Sequence, residues 1–138
     1  MLSILIWIKL LLASLGVSIG WFLGGADALV YALVIFIVID YITGVMGRII
    51  NKELNSDSGT KEIFKKVIII LLVGVANMID IYLIRSVNSP LRTAVTFFYI
   101  TNQGISILEN AALSGVPIPD VLRNSLLKLH QKNDYLSE

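Results

Sequence analysis

Two carboxylates lie within long apolar stretches of this 138-residue chain, where an ionised group is hardest to accommodate. They are Asp40 and Asp80. A carboxylate in apolar surroundings is costly unless it meets a hydrogen-bond donor, a cation or water, or takes up a proton. Their placement predicts either structural hydrogen bonds between helices or a proton or ion pathway, and the residues alone leave both open.

The residues that metal binding, nucleophilic catalysis and phosphate binding require are missing from the sequence. The chain has no cysteine, and its single histidine, His130, lies in a polar tail without a second histidine nearby. Thiolate metal sites and cysteine nucleophiles are therefore excluded, and a zinc site is not expected. No glycine-rich phosphate loop and no Ser-His-acid pattern occur. We expect no enzyme, metal or cofactor, and the net charge of +1 predicts no nucleic-acid partner.

Small residues in the first apolar stretch form a ladder, which we define as Gly16, Gly20 and Gly24. Glycines four apart lie on one face of a helix and let another backbone approach closely in lipid. Ala13 extends this face, and Lys9 lies at its end. The spacing predicts close helix packing, either within the chain or between subunits of a homo-oligomer.

Polar residues in the last apolar stretch also share one helix face. Their separations are 4, 3, 4, 3 and 4 residues, and we call them the polar stripe: Arg92, Thr96, Tyr99, Gln103, Ser106 and Asn110. Such a stripe on a membrane helix faces either other helices or water. It predicts interhelical hydrogen bonds or, after oligomerisation, the lining of a pore.

The elements that carry these residues are predicted to be membrane helices. The chain is 56% hydrophobic and 15% charged, with a mean hydropathy of +0.80, and so short a chain cannot bury that much apolar surface in water. Four stretches reach the length of about 20 residues that a bilayer requires: 2–26, 28–47, 67–84 and 93–112, the last being the most polar. The first is interpreted as a span and not as a signal peptide, because no good cleavage site precedes a polar mature chain. We predict an all-α fold with a four-helix transmembrane domain over residues 1–113.

The connections are predicted to differ in length. Residues 24–27 form a tight turn, and residues 48–66 form a polar loop in which Thr60 caps a helix that continues into the third span. The polar tail, residues 114–138, is predicted to hold a cytoplasmic amphipathic helix that begins at Asp120 and lies on the lipid surface or between subunits. Its apolar side comprises Val121, Leu122, Leu126 and Leu129, and its last turn carries Lys128 and Lys132.

Several of these motifs resemble the bacteriophage holin family, also called toxin-secretion or phage-lysis holins. The segment Ile39-Asp40-Tyr41-Ile42-Thr43-Gly44-Val45 precedes a lysine-bearing polar loop, and Met78-Ile79-Asp80 is similar to the acid of that family's third helix. The most specific block is Glu109-Asn110 followed by Gly115, Pro117 and Pro119. The resemblance extends over about residues 35–132.

The resemblance implies a small protein of the bacterial cytoplasmic membrane that forms homo-oligomers in the lipid bilayer and opens timed lesions. These lesions would release a phage endolysin and cause host cell lysis, or release a large toxin. Two other functions stay open from the residues: a small ion-coupled transporter that uses Asp40 or Asp80, and a non-conducting membrane scaffold subunit.

The distribution of lysine and arginine predicts the orientation. With four spans, the N-terminus, the 48–66 loop and the tail share the side that carries most cations, which places both termini in the cytoplasm. In a chain that carries Ser56→Cys or Ser89→Cys, a membrane-impermeant thiol reagent added outside intact cells should therefore label only the Ser89→Cys variant. Labelling of the Ser56→Cys variant from outside would contradict this topology.

Overall fold

The computed structural model describes the backbone of residues 1–137 and the side chains of residues 1–129 and 131. Within these residues the chain forms helices and no strands, as the sequence predicts. The helices are α1 (Leu2–Phe22), α2 (Ala28–Ile50), α3 (Ser56–Ile79), α4 (Pro90–Leu113) and α5 (Asp120–Ser137), and a π-helical segment, Asp80–Ile84, continues α3. The side chain of Lys132 lies outside the described residues.

The turn between α1 and α2 follows from two glycines and an aspartate. Gly24 and Gly25 have φ of +87° and +102°, a region that glycine enters without steric cost. The amide of Gly25 donates to Gly20 O at 2.8 Å and that of Gly24 to Trp21 O at 3.1 Å, which is the Schellman ending of a helix. Asp27 then caps α2 by accepting from the amide of Val30 at 3.0 Å.

Helix α3 begins earlier than predicted. Asn55, not Thr60, is its N-cap residue, because the Asn55 side chain accepts from the amide of Asp57 and the Asn55 backbone is extended. The predicted polar loop 48–66 is therefore mostly helical, and its non-helical part is short, since α2 ends at Ile50. One consequence is that Lys66 lies on a helix facing the bundle and not in a loop.

Helices α2 and α4 run parallel along the same length, and α3 runs antiparallel to both. At one end Arg92 contacts Asp27, and at the other Asn51 donates to the carbonyl of Leu113 at 3.2 Å. The end of α3 meets the start of α4 at Asp80. A small apolar core of Leu23, Val30, Leu33, Ile69 and Val73 lies between the helices, with Tyr99 of α4 packed against it.

Three helices in the described chain are long and apolar enough to cross a membrane, not the four predicted. They are Leu2–Phe22, Ala28–Ile50 and Ser56–Ile84. The prediction of a fourth apolar span over residues 93–112 is wrong, although α4 is 24 residues long. The physical reason is the polar stripe, since the residues that α4 turns toward its neighbours lower its hydropathy.

Helix α1 makes almost no contact with the rest of the chain. None of its residues is buried, and its contact with the bundle is at its C-terminal end, where the Phe22 ring lies against Gly74 of α3. A Cβ at Gly74 would stand 1.8 Å from a carbon of that ring. Glycine at position 74 therefore makes the space in which Phe22 anchors α1.

The tail folds back onto α4. Gly115 has φ of +87° and ends α4 with the amide of Val116 donating to Ala111 O at 3.0 Å. The segment with Pro117 and Pro119 then leads into α5, which begins at Asp120. Leu126 of α5 lies over Gly104 of α4, where a Cβ would be 3.0 Å from a Leu126 methyl carbon.

We expect Gly74→Ala to destabilise the protein, because the Phe22 ring must leave its site to make room for the new methyl group. The cost should be about 1–3 kcal/mol of unfolding free energy, measured by denaturation in mild detergent. Gly20→Ala is the matched control, since no atom lies within 4 Å of a Cβ at Gly20. In a Phe22→Ala background, Gly74→Ala should lose its effect, and an undiminished cost there would contradict this packing.

Candidate functional site

The outer cluster, which we define as Asp27, Asn77, Asp80 and Arg92, joins the α1–α2 turn to α3 and α4. Arg92 is 4% exposed. Its guanidinium donates to Asp27 Oδ2 at 2.7 Å, to Gly25 O at 3.1 Å and to Leu23 O. Because every partner belongs to the turn, this one side chain attaches the turn to α4.

Gly24 belongs to the same contact and not to the helical ladder predicted from its spacing. It lies beyond the end of α1, and a Cβ there would stand 2.6 Å from Arg92 Nε and 2.5 Å from Asn77 Oδ1. Asn77 also donates to the carbonyl of Phe22 at 3.0 Å. A side chain at position 24 would displace both groups, so the close approach of Arg92 and Asn77 requires glycine.

Asp80 caps the start of α4 from a different helix. Its side chain is fully buried, and its two oxygens accept from the amide of Leu91 at 3.1 Å and the amide of Arg92 at 2.8 Å. Ser89, the residue that precedes α4, makes no side-chain cap hydrogen bond. A carboxylate at a helix N-terminus accepts hydrogen bonds from free amides and interacts favourably with the positive end of the helix dipole. The geometry therefore gives Asp80 a structural role at the start of α4.

The ion pair of Asp27 with Arg92 gives the outer cluster a pH dependence. The hydrogen bond from Arg92 lowers the pKa of the Asp27 carboxyl, although partial burial acts in the opposite direction. A lowered folded-state pKa adds stability that is present above the usual pKa of aspartate. That stability is lost as the pH falls through the lowered value.

The inner cluster, which we define as Asp40, Lys66, Gln103 and Asn110, joins α2, α3 and α4. Lys66 Nζ lies 2.6 Å from Asp40 Oδ2 and donates to Gln103 Oε1 at 3.2 Å. Asp40, Lys66 and Gln103 are each 5–7% exposed. A buried ion pair of this kind needs further hydrogen bonds to offset the loss of hydration, and Gln103 supplies one of them.

Asn110 completes the inner cluster on the side of Asp40 that Lys66 leaves open. Its amide nitrogen lies 2.9 Å from Asp40 Oδ1, 3.1 Å from Asp40 O and 3.0 Å from Thr43 Oγ1. Ser114 donates to the carbonyl of Asn110 at 2.8 Å. Both carboxylate oxygens of Asp40 therefore have a donor.

The structure places the polar stripe against the other helices. Arg92, Thr96 and Gln103 are buried, and Tyr99 packs against the apolar core. Ser106 and Asn110 are half-buried and line a cleft of about 260 Å³ beside α2. The stripe therefore makes interhelical contacts in the single chain, which was one of its two predicted roles, and it faces no lumen there.

The remaining predicted residues have separate surroundings. Gly16 and Gly20 have no atom within 4 Å of a Cβ, so their face is uncovered. Glu109 of the family block is exposed. In the part of the chain that the structure describes, no group of His, Cys, Asp and Glu could hold a metal ion.

Two participants were not identified from the sequence. Lys66 falls within the predicted polar loop 48–66, although Asp40 requires a partner and a lysine just before the third predicted span is a candidate. Asp27 falls within the predicted tight turn, and its charge complements that of Arg92 in the polar stripe. In both cases the sequence does not show how the helices lie against one another.

Lys66→Met should destabilise the bundle, because it leaves Asp40 buried with only Asn110 as a donor. Removing one partner of a buried pair costs about 3–5 kcal/mol, and the unfolding free energy in detergent micelles measures it. Lys65→Met is the matched control, since the Lys65 side chain is 71% exposed. Combining Lys66→Met with Asp40→Asn should recover most of the loss, and no recovery would show that the pair is not the source of the effect.

Comparisons with known proteins identify the family to which this arrangement belongs. Residues 17–131 match the bacteriophage holin family. An uncharacterised protein of Clostridium perfringens (strain 13 / Type A) is 43% identical over 132 residues, which is 96% of this chain and 97% of the relative. A protein named "probable holin" from Bacillus phage phi105 is 42% identical over 101 residues, 73% of each chain. No solved structure gives a significant match. The match over most of its length shows that this membrane-helical chain belongs to the bacteriophage holin family.

Proposed function

We propose that this protein is a holin that assembles with copies of itself in the cytoplasmic membrane and opens lesions. Through them an endolysin, or a large toxin, would leave the cell. The observation that carries the proposal is the family match over residues 17–131, together with the relative named probable holin. Three helices that are apolar enough to cross a membrane agree with a membrane-embedded site of action.

Over the residues that the structure describes, a single chain offers no opening for a folded protein. The space between α2, α3 and α4 is occupied by the apolar core and by the inner and outer clusters. Helices that pack about 8–10 Å apart fill the space between them with side chains. A lesion that passes an enzyme therefore requires many copies, and this requirement is the physical argument for a homo-oligomer.

The positions of the two acids speak against an ion-coupled transporter. Asp40 accepts from Lys66 and Asn110, and Asp80 accepts from two amides at the start of α4. A carboxylate that binds a transported ion must exchange partners in each cycle. Here each acid joins neighbouring helices. This favours structural hydrogen bonds over the proton or ion pathway, the two roles that the sequence leaves open for Asp40 and Asp80.

We place α4 within the membrane beside α2 although it is not apolar enough to cross alone. It runs parallel to α2 from Asp27 at one end to Asn51 at the other, so both helices extend through the same thickness. The loop end of the bundle then carries Arg48, Lys52, Lys61 and Lys65. The opposite end carries Arg85 and Arg92, and Arg92 is paired with Asp27. This asymmetry supports a cytoplasmic N-terminus and a cytoplasmic start of the tail, residues 114–138. Helix α5 of this tail then packs along α4 as far as Gly104.

The polar stripe can line a lesion only if α4 parts from α2 and α3. In the structure its buried members face those helices, which supports our interpretation of this arrangement as the closed one. Opening would break the contacts of Gln103 with Lys66 and of Asn110 with Asp40. We propose that contacts between copies in the oligomer compensate for this loss and turn the stripe to water.

Induced expression in bacteria tests the function. Cells that carry a voltage-sensitive dye should lose membrane potential abruptly after a delay, and a co-expressed cytoplasmic endolysin without its own export signal should then lyse them. The endolysin alone should leave the cells intact. Gradual, substrate-dependent depolarisation without lysis would indicate a transporter, and membrane oligomers with an unchanged potential would indicate a scaffold. Either result would overturn the proposal.

A further inference from the structure

Lys9 is a charge without a partner on the least covered helix of the protein. Helix α1 has no buried residue, and Lys9 forms no ion pair or hydrogen bond with any described side chain. Its spacing from Ala13, Gly16 and Gly20 places all four residues on one helix face. A lysine within a membrane helix requires an acid, another polar group or the interface, so this face should meet polar protein surface.

A symmetric contact between two α1 helices does not supply that surface. If two parallel copies met through Gly16 and Gly20, their two Lys9 side chains would lie beside each other on the shared face. Like charges that are brought together in an interface repel and disfavour that pairing. The charge therefore points to a contact with a different part of a second copy.

A cleft of about 290 Å³ between α3 and α4 has the complementary chemistry. Its lining includes Asn102 and Ser106, the carboxylates Asp40, Glu62 and Glu109, and the lysines Lys65 and Lys66. Lys66 is already paired with Asp40. Glu109 is exposed and forms no ion pair within the described residues. Glu62 is only loosely engaged, at 3.8 Å from Lys65 and Lys66. With three carboxylates and two lysines, the cleft keeps an excess of negative charge.

The depths of Lys9 and these acids agree. The carbonyl of Phe22 accepts a hydrogen bond from Asn77, so these two residues lie at the same height along the bundle axis. We call this height the Phe22 level and measure the positions of other residues from it. At 1.5 Å per residue, Lys9 lies about 20 Å from that level along α1, and Glu62 about 22 Å along α3. Glu109 lies about 9 Å beyond Gln103, which contacts Lys66, and therefore about 25 Å from the same level. A lysine side chain reaches this far toward the interface.

We propose that α1 of one copy packs into the α3–α4 cleft of the next copy, with Lys9 paired to Glu109 and close to Glu62. The proposal rests on the homo-oligomer of the proposed function and names the two surfaces that form its contact. Because the two surfaces differ, each copy uses its α1 on one neighbour and its cleft on another. Such heterologous contacts continue into rings or extended arrays, which is the form of assembly that a large lesion needs.

Cysteine crosslinking tests the contact directly, because the chain contains no cysteine. One tagged copy carries Ala13→Cys on the ladder face of α1, and a second, differently tagged copy carries Asn102→Cys in the cleft. Both positions lie about 14 Å from the Phe22 level. Oxidation in membranes should give a mixed dimer, and it should exceed the dimer of two Ala13→Cys chains by roughly tenfold, because the latter requires adjacent Lys9 side chains.

Charge reversal separates this contact from unspecific proximity. Lys9→Glu should reduce the mixed crosslink by roughly tenfold, and Glu109→Lys should do the same. Both changes in every copy should restore it, because the pair is then re-formed with opposite signs. Lys52→Glu, in the exposed α2–α3 connection, is the control and should have no effect. Lys9→Gln, which avoids placing an acid on α1, should also weaken the crosslink if the reversal impairs insertion.

Two outcomes would overturn the proposed contact. One is a dominant crosslink between two Ala13→Cys chains. The other is a crosslink between Ala13→Cys and Asn102→Cys that forms only when one chain carries both substitutions. That result would show that α1 packs into the cleft of its own chain. If membrane potential is still lost in either case, the holin function stands and only this interface fails. If no crosslinked oligomer forms and the membrane potential is kept, both fail.

Discussion

The polar face of α4 governs the organisation of this protein, because backbone and side-chain polar groups in lipid must be paired within the protein. Helix α4 alone is not apolar enough to cross a membrane, yet it runs beside α2 along its whole length. Its buried residues include an arginine, a threonine and a glutamine. Helices α2 and α3 must therefore supply acceptors and charges at matching positions. Asp40 of α2, Lys66 of α3 and Asp80 at the end of α3 occupy such positions.

Two sets of contacts meet this requirement at different depths. Near the outer end, Asp80 caps the first amides of α4 and Arg92 holds the α1–α2 turn. Nearer the end that carries the α2–α3 connection, Asp40 is shared between Lys66 and Asn110. Buried charges of this kind contribute little net stability compared with apolar packing, but separating them is expensive. Separating α4 from α2 and α3 would break these contacts, so the opening that we propose must replace them.

The same arrangement explains which parts of the structure the sequence could predict. Hydropathy located three helices, and the turn at Gly24 and Gly25 and the break at Pro117 follow from local backbone chemistry. The start of α3 could not be predicted in the same way, because the choice between Asn55 and Thr60 as the N-cap residue depends on one side-chain hydrogen bond. The partner of Asp40 was also out of reach, because it depends on how α3 lies against α2. For the polar stripe, spacing identified its members correctly as one face, but spacing alone cannot tell a protein-facing surface from a water-facing one.

The accessibility of Thr96 to water tests most directly whether the polar stripe is closed before lesions form and open afterwards. Thr96 is fully buried, and its hydroxyl has no hydrogen-bond partner among the described residues, so Thr96→Cys should be tolerated. A membrane-impermeant thiol reagent should leave this cysteine unmodified until the membrane potential collapses and should modify it afterwards, whereas a cysteine at the fully exposed Val87 reacts throughout. Modification before the collapse would contradict the closed arrangement. A cysteine that stays protected in permeabilised membranes would show that α4 does not line the lesion.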